Sequence, residues 1–119
     1  MIGLGIVTFK LSVLAGEFGG IGLVIVDRES ANEPLRTGTV YPGSPAERAG
    51  VTPNGFLISV DGTNVVSMSL TQSMSIVRGP VGTFVTLEIA DSKMSATNKF
   101  TVKRSKMVFS GNEIEFIDP

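Results

Sequence analysis

Cysteine and histidine are both absent from this chain of 119 residues. Thiol nucleophiles, Cys or His zinc sites, axial histidine ligation of haem and any Ser-His-Asp triad are therefore closed to it. Carboxylates, lysine, serine and the single tyrosine, Tyr41, are what remain for catalysis. Ser92-Lys93 and Ser105-Lys106 are adjacent pairs in polar surroundings and read as surface residues; no S-x-x-K spacing occurs. Asp27, Glu29 and Glu33 share one polar stretch, with no sign that two of them would share a site and split their titrations. No catalytic centre, no metal site and no cofactor are expected of this chain.

The stretch Gly16-Glu17-Phe18-Gly19-Gly20-Ile21-Gly22-Leu23 is the strongest remaining signal, because glycine-rich loops can aim several backbone N–H groups at an anion. It does not fit a nucleotide. Neither G-x-G-x-x-G nor G-x-x-x-x-G-K-[ST] is present, and the glycines lead into Leu23-Val24-Ile25-Val26-Asp27, which reads as a strand rather than a helix. Lys plus Arg number 10 against 11 acidic residues, a net charge of −1. Such a balance lacks the basic field needed to neutralise phosphates, so nucleic acid is not an expected partner. What remains is a loop of backbone donors opening into an apolar strand.

The elements that must hold this loop are mostly short strands bounded by turn residues. Ile6–Val13 is the first expected strand. Leu23–Asp27 is the second, and its nearly unbroken apolar run predicts a central strand buried on both faces. Arg28–Arg36 reads as a polar loop. Thr37–Tyr41 and Phe56–Val60 follow, the latter ending at the turn signal Asp61-Gly62. Thr83–Ile89 alternates, with Val85, Leu87 and Ile89 on one face, and Lys99–Lys103 repeats the pattern. Asp91–Asn98 between them is long and polar enough for a mobile loop, and Glu113–Asp118 is a last short strand.

Two helices carry their own punctuation. Ser44 caps the first, with Pro45 at its first position, Glu47 closing a capping box and Gly50 ending it. Ser69 and Gln72 form the second capping box, and Gly79-Pro80 stops that helix. Leu70, Met74 and Val77 then share one face at i, i+4 and i+7. With 42% hydrophobic residues and 18% charged, the whole chain, residues 1–119, is expected to form one α+β, mainly β, domain. At this size roughly two-thirds of the unfolded chain's surface can be buried, enough for a core without disulfides. The apolar start, Met1–Phe9, is interrupted by Lys10 and is far short of the ~20 residues that span a bilayer, so no signal peptide, anchor or membrane insertion is expected.

Loop, strand and amphipathic helix together resemble a PDZ domain. Gly20-Ile21-Gly22-Leu23 stands where that family has its GLGF-type carboxylate-binding loop, and Ser69–Arg78 matches its helix. More narrowly, GEFGGIG (16–22), PGSPAERAGV (42–51), ISVDG (58–62) and MSLTQSMSIVRGPVGTFVTLEI (68–89) resemble the PDZ module of bacterial C-terminal processing (tail-specific) proteases. The resemblance covers about residues 16–108, with 1–15 and 109–119 as flanking strands or tails. It implies a five- to six-stranded, partly open β-barrel or sandwich flanked by two helices. It also implies a peptide-binding site for an apolar, C-terminal segment of a peptide or protein, formed by Gly20, Ile21, Gly22, Leu23, Val24, Ile25, Leu70, Met74 and Val77. The peptide would add as a strand beside Leu23–Asp27, its carboxylate on the N–H groups of Ile21, Gly22 and Leu23. Its last side chain would enter a pocket of Ile21, Leu23, Met74 and Val77. Leu70 stands where many PDZ domains have a histidine that binds a Ser or Thr hydroxyl, which implies an apolar preference at the ligand residue two before the end.

Two other uses fit the same residues. The groove could serve as a regulatory or scaffold element, filled by the N-terminal strand or by the tail 110–119, where Glu113-Ile114-Glu115-Phe116-Ile117 alternates suitably. A small enzyme or small-ligand binder on another fold would need a deep polar pocket instead. Ile21, Leu23, Ile25, Met74 and Val77 are also what ordinary core packing would use. The proteases resembled work with a Ser-Lys pair in a separate catalytic domain, none of which matches here. The resemblance points to a bacterial periplasm or cell envelope.

Overall fold

In the computed structural model, residues 18–118 are described. The strand expected over Ile6–Val13 lies outside them, as do Gly16 and Glu17. Ten strands and two helices follow in the order β1 (Phe18–Gly19), β2 (Leu23–Val26), β3 (Arg36–Val40), α1 (Pro45–Arg48), β4 (Phe56–Val60), β5 (Thr63–Asn64), α2 (Leu70–Val77), β6 (Gly79–Pro80), β7 (Phe84–Ala90), β8 (Thr97–Lys103), β9 (Lys106–Ser110) and β10 (Glu113–Ile117). The main sheet runs β2-β3-β4-β7-β8, with β5 paired to β4; β1 pairs with β6 and β9 with β10. Every pairing is antiparallel. The expected mainly β architecture with two flanking helices is the one found.

Local chemistry formed where the residue types ask for it. At α2 the Gln72 N–H donates to Ser69 Oγ (3.1 Å) and the Ser69 N–H donates to Gln72 Oε1 (3.0 Å), a complete capping box. At α1 only half of the box forms. Ser44 Oγ accepts from the Glu47 N–H at 3.1 Å, but Glu47 Oε1 reaches one residue further back and accepts from the Gly43 N–H at 2.8 Å. The Ser44 N–H is already committed to Tyr41 O. Asp61 and Gly62, at φ of 49° and 81°, make the left-handed two-residue turn that joins β4 to β5.

The alternation read in Thr83–Ile89 is realised. Val85, Leu87 and Ile89 are buried against Leu57, Val60, Val65 and Val102, while Thr86 and Glu88 lie half-exposed on the other face. The polar stretch before β3 hides one core residue, since Leu35 is fully buried. The 91–98 loop is shorter and more tied than expected. β8 begins at Thr97, and the Asp91 carboxylate accepts from the N–H groups of Lys93 (3.1 Å) and Ser95 (2.8 Å) and from Ser95 Oγ (2.7 Å).

Two further expectations are corrected. The apolar run 23–27 is not a central strand buried on both faces. β2 ends the main sheet, only Ile25 of its four residues is buried, and Val26 is 43% exposed. Its apolar character serves the space under α2 rather than a second covering layer. The tail 110–119 does not fill the groove either. Glu113–Ile117 pairs with β9, Ile114 opposite Phe109 and Phe116 opposite Met107, because the turn at Gly111 and Asn112 returns the chain onto Lys106–Ser110, where no strand was expected. Among the described residues no helix is long and apolar enough to cross a membrane.

The end of this hairpin is fastened to the body by Asp118. Its carboxylate accepts from Ser105 Oγ at 2.6 Å and from Arg48 at 3.1 Å. The Ser105 hydroxyl, and then the Arg48 charge, hold its pKa below the ordinary carboxylate value, as Ser95 does for Asp91. A depressed carboxyl stabilises the fold while ionised, so this contribution is full above the unfolded-state value near 4 and is lost as pH falls through the lowered folded value. Thermal melts should therefore be flat from neutral pH to about 4 and fall below it. Asp118→Asn should melt lower at neutral pH and lose part of that acid dependence; an unchanged acid limb would remove Asp118 from the account.

Candidate functional site

The loop 20–23 is shaped by where its carbonyls go. Gly20 is held in both directions by Ser105, its N–H donating to Ser105 O and its O accepting from the Ser105 N–H, each at 3.0 Å. Ile21 O accepts from the Ala46 N–H at 2.8 Å, in the first turn of α1, and Gly22 O accepts from the Tyr41 N–H at 2.9 Å. Three successive carbonyls thus point into the protein, toward three different elements. The N–H groups of Ile21 and Gly22 have no hydrogen-bond partner among the described residues. Gly22 sits at φ 78°, which lets the chain turn this way.

The β2 edge continues the same pattern. The bond from Tyr41 N–H to Gly22 O makes Leu23 and Val40 a non-hydrogen-bonded pair, so the Leu23 N–H and C=O face away from β3. Thr37, opposite Ile25, spends its N–H on Gly55 O and its O on the Asn54 N–H, both on the β4 side. Ile25 therefore also presents its backbone pair to the open edge. β2 is unpaired on that side among the described residues.

Between this edge and α2 lies a cleft of about 90 Å³, lined by Gly20, Ile21, Gly22, Leu23, Ile25, Met74, Val77, Tyr41, Arg78 and Met107. A cavity of roughly 150 Å³ admits a benzene ring, so this one suits a single small aliphatic side chain. The helix turns Ser73 and Val77 into the core and leaves Met74 half-buried at the rim. Seven of the nine residues expected at the site line the cleft. Val24, half-buried, and Leu70, which packs on the core cluster, do not. Tyr41, Arg78 and Met107 were not expected there: Tyr41 directly follows β3, Arg78 is the C-cap of α2, and Met107 lies on β9, where no strand was expected. An alternating apolar pattern at Met107 and Phe109 was the available signal for β9.

A further side chain sets the position of α2. Arg104 is 6% exposed, and its guanidinium donates to Val77 O (3.0 Å), Ile76 O (3.3 Å), Thr83 Oγ1 (2.8 Å) and Phe84 O (3.2 Å). Two of these are orphan carbonyls at the helix end, where a cation also meets the negative pole of the helix dipole. Nothing in TVKRSK distinguishes this arginine from its exposed neighbours. Elsewhere, the Ser105 hydroxyl of the Ser105-Lys106 pair is spent on Asp118. Among the described residues no group of three acidic side chains is placed to hold a metal ion.

A two-helix, antiparallel β fold with a donor loop, an open strand and a flanking helix defines a peptide-recognition class of domain, and comparison with known proteins agrees. Residues 36–91 match the PDZ domain family. The chain is 34% identical over 95 residues to a carboxyl-terminal-processing protease of Synechocystis, covering 80% of this chain and 22% of that protein. The solved photosystem II D1 C-terminal processing protease superposes with a TM-score of 0.71 at 27% identity, over 80% of this chain and 25% of that one. The PDZ domain of a carboxy-terminal protease from Vibrio cholerae, solved in complex with a peptide, has the same fold (TM-score 0.62, 21% identity, 73% of this chain and 93% of that one). The chain carries a PDZ domain, and its relatives are C-terminal processing proteases. It spans about a fifth of the length of those curated relatives.

Proposed function

We propose that this PDZ domain captures the apolar C-terminal end of a peptide by strand addition to β2, as the substrate-recognition module of a C-terminal processing protease. The reading rests on one observation above all: among the described residues the N–H groups of Ile21 and Gly22 are unpartnered, and they stand at the end of an unpaired strand edge, over an apolar cleft. A peptide strand beside β2 would exchange main-chain bonds with Leu23 and Ile25, and its carboxylate would take the loop donors. Its last side chain would fill the space beside Met74 and Val77. The peptide bound to the Vibrio PDZ domain supports the same use here.

Burying one terminal Val or Leu side chain yields roughly 1.5–3 kcal/mol, against about 8 kcal/mol for a micromolar complex, so affinity should be weaker than micromolar. The test is an amide NMR titration of the labelled domain with peptides ending in Ala, Val or Leu, each beside its C-terminally amidated twin. Shifts should concentrate at residues 20–27, 74 and 77 and shrink on amidation. Peptides apolar at the residue two before the end should bind better than Ser or Thr versions, because α2 begins with Leu70 where many PDZ domains have a histidine, so no imidazole is available to a ligand hydroxyl. Equal effects of acid and amide, or shifts elsewhere, would refute carboxylate capture.

A further inference from the structure

The pairing that shapes the donor loop also delivers a charge to it. β6 runs antiparallel to β1 with Gly79 opposite Gly19. Arg78 directly precedes β6 and Gly20, the first residue of the loop, directly follows β1, and both line the cleft. As C-cap of α2, Arg78 has left helical geometry (φ −78°, ψ 156°) and lines the cleft. Its side chain is exposed, and it is the one arginine among the described residues whose guanidinium makes no hydrogen bond or ion pair. Arg28, Arg36, Arg48 and Arg104 are all engaged within the fold.

No lysine or arginine stands between Ser12 and Asp27, so the loop's own segment offers an anion only neutral donors. We propose that Arg78 supplies the missing charge: it pairs with the terminal carboxylate of the bound peptide and makes the site select free C-termini over amides and internal segments. This rests on the peptide-capture reading above. A charge-assisted bond at a partly dry cleft is stronger than a neutral one, and a guanidinium can span both carboxylate oxygens. Because the guanidinium has no partner among the described residues, its removal should leave stability intact, with melting temperatures agreeing within about two degrees.

The experiment uses fluorescence anisotropy with a fluorescein-labelled octapeptide ending in Ala-Leu-Val, as free acid and as amide. Wild type is compared with Arg78→Gln and Arg78→Lys at 50 and 500 mM NaCl. Arg78→Gln should weaken the free acid about tenfold, leave the amide unchanged and abolish the salt dependence, while Arg78→Lys keeps most of the affinity. Equal weakening of acid and amide would make Arg78 a packing residue and overturn the proposal. Wild type and Arg78→Gln discriminating equally would also overturn it, while leaving peptide capture standing. Failure of wild type to bind either peptide, or its binding of both alike, would overturn both readings together.

Discussion

Gly22→Ala should abolish peptide binding and lower the melting temperature by more than ten degrees. Two separate costs meet at this position. Its φ of 78° lies in the left-handed region, where a Cβ costs about 1–2 kcal/mol. The added methyl would also stand 2.3 Å from Ser44 Cβ and 2.8 Å from Phe116 Cζ. Ser44 is fully buried and caps α1, so it cannot swing aside, and overpacking of this kind costs roughly 1–3 kcal/mol. For a domain of about 100 residues each kcal/mol moves the melting point by roughly 4–8 °C. Gly50→Ala is the control. Its φ is 83°, but its Cβ would meet nothing within 4 Å, so only the backbone cost applies. The difference between the two variants measures the clash, and equal melting points would disprove that the loop is wedged between α1 and the terminal hairpin.

Arg104→Met carries the other large effect, an expected loss of about 3–5 kcal/mol with weaker peptide binding in parallel. The variant keeps much of the side-chain volume but leaves the carbonyls of Ile76 and Val77 without their donor inside the protein. Those carbonyls end the helix that carries Met74 and Val77, one wall of the cleft. Gly79 belongs to the same device. A Cβ there would lie 2.7 Å from Arg104 Cζ, so the glycine is the space in which the guanidinium sits. Arg104→Lys retains the charge but not the planar fork that serves four acceptors, and should fall between wild type and Arg104→Met. Urea denaturation gives the stability, and hydrogen exchange at residues 74–78 reports the helix end. A methionine variant within about 1 kcal/mol of wild type, with unchanged exchange there, would refute the anchoring role.

Both predictions depend on contacts between residues far apart in the chain, and they mark the boundary of what a linear reading reaches. The capping box of α2, the Ser44 cap of α1, the Asp61-Gly62 turn and the 85-87-89 alternation were legible because each joins residues no more than four apart, whereas the full box read for α1 fails because the Ser44 N–H goes to Tyr41 O. The glycine loop and its helix were legible as a resemblance, and the pairing of Met74 and Val77 with Ile21 and Leu23 across the cleft came with it. The apolar run 23–26 could not disclose that it is an edge. A strand's neighbours are chosen by sheet order, and an apolar strand beneath a helix and an open groove reads like a central one. Leu35 within a polar stretch, Met107 at the cleft and the return of β10 onto β9 were hidden for the same reason. The five arginines carry one chemistry in the sequence. Tertiary structure alone spends Arg104 inside the fold and leaves Arg78 beside the donor loop, because a side chain's partners are set by which backbone folds over it and not by its neighbours in the chain.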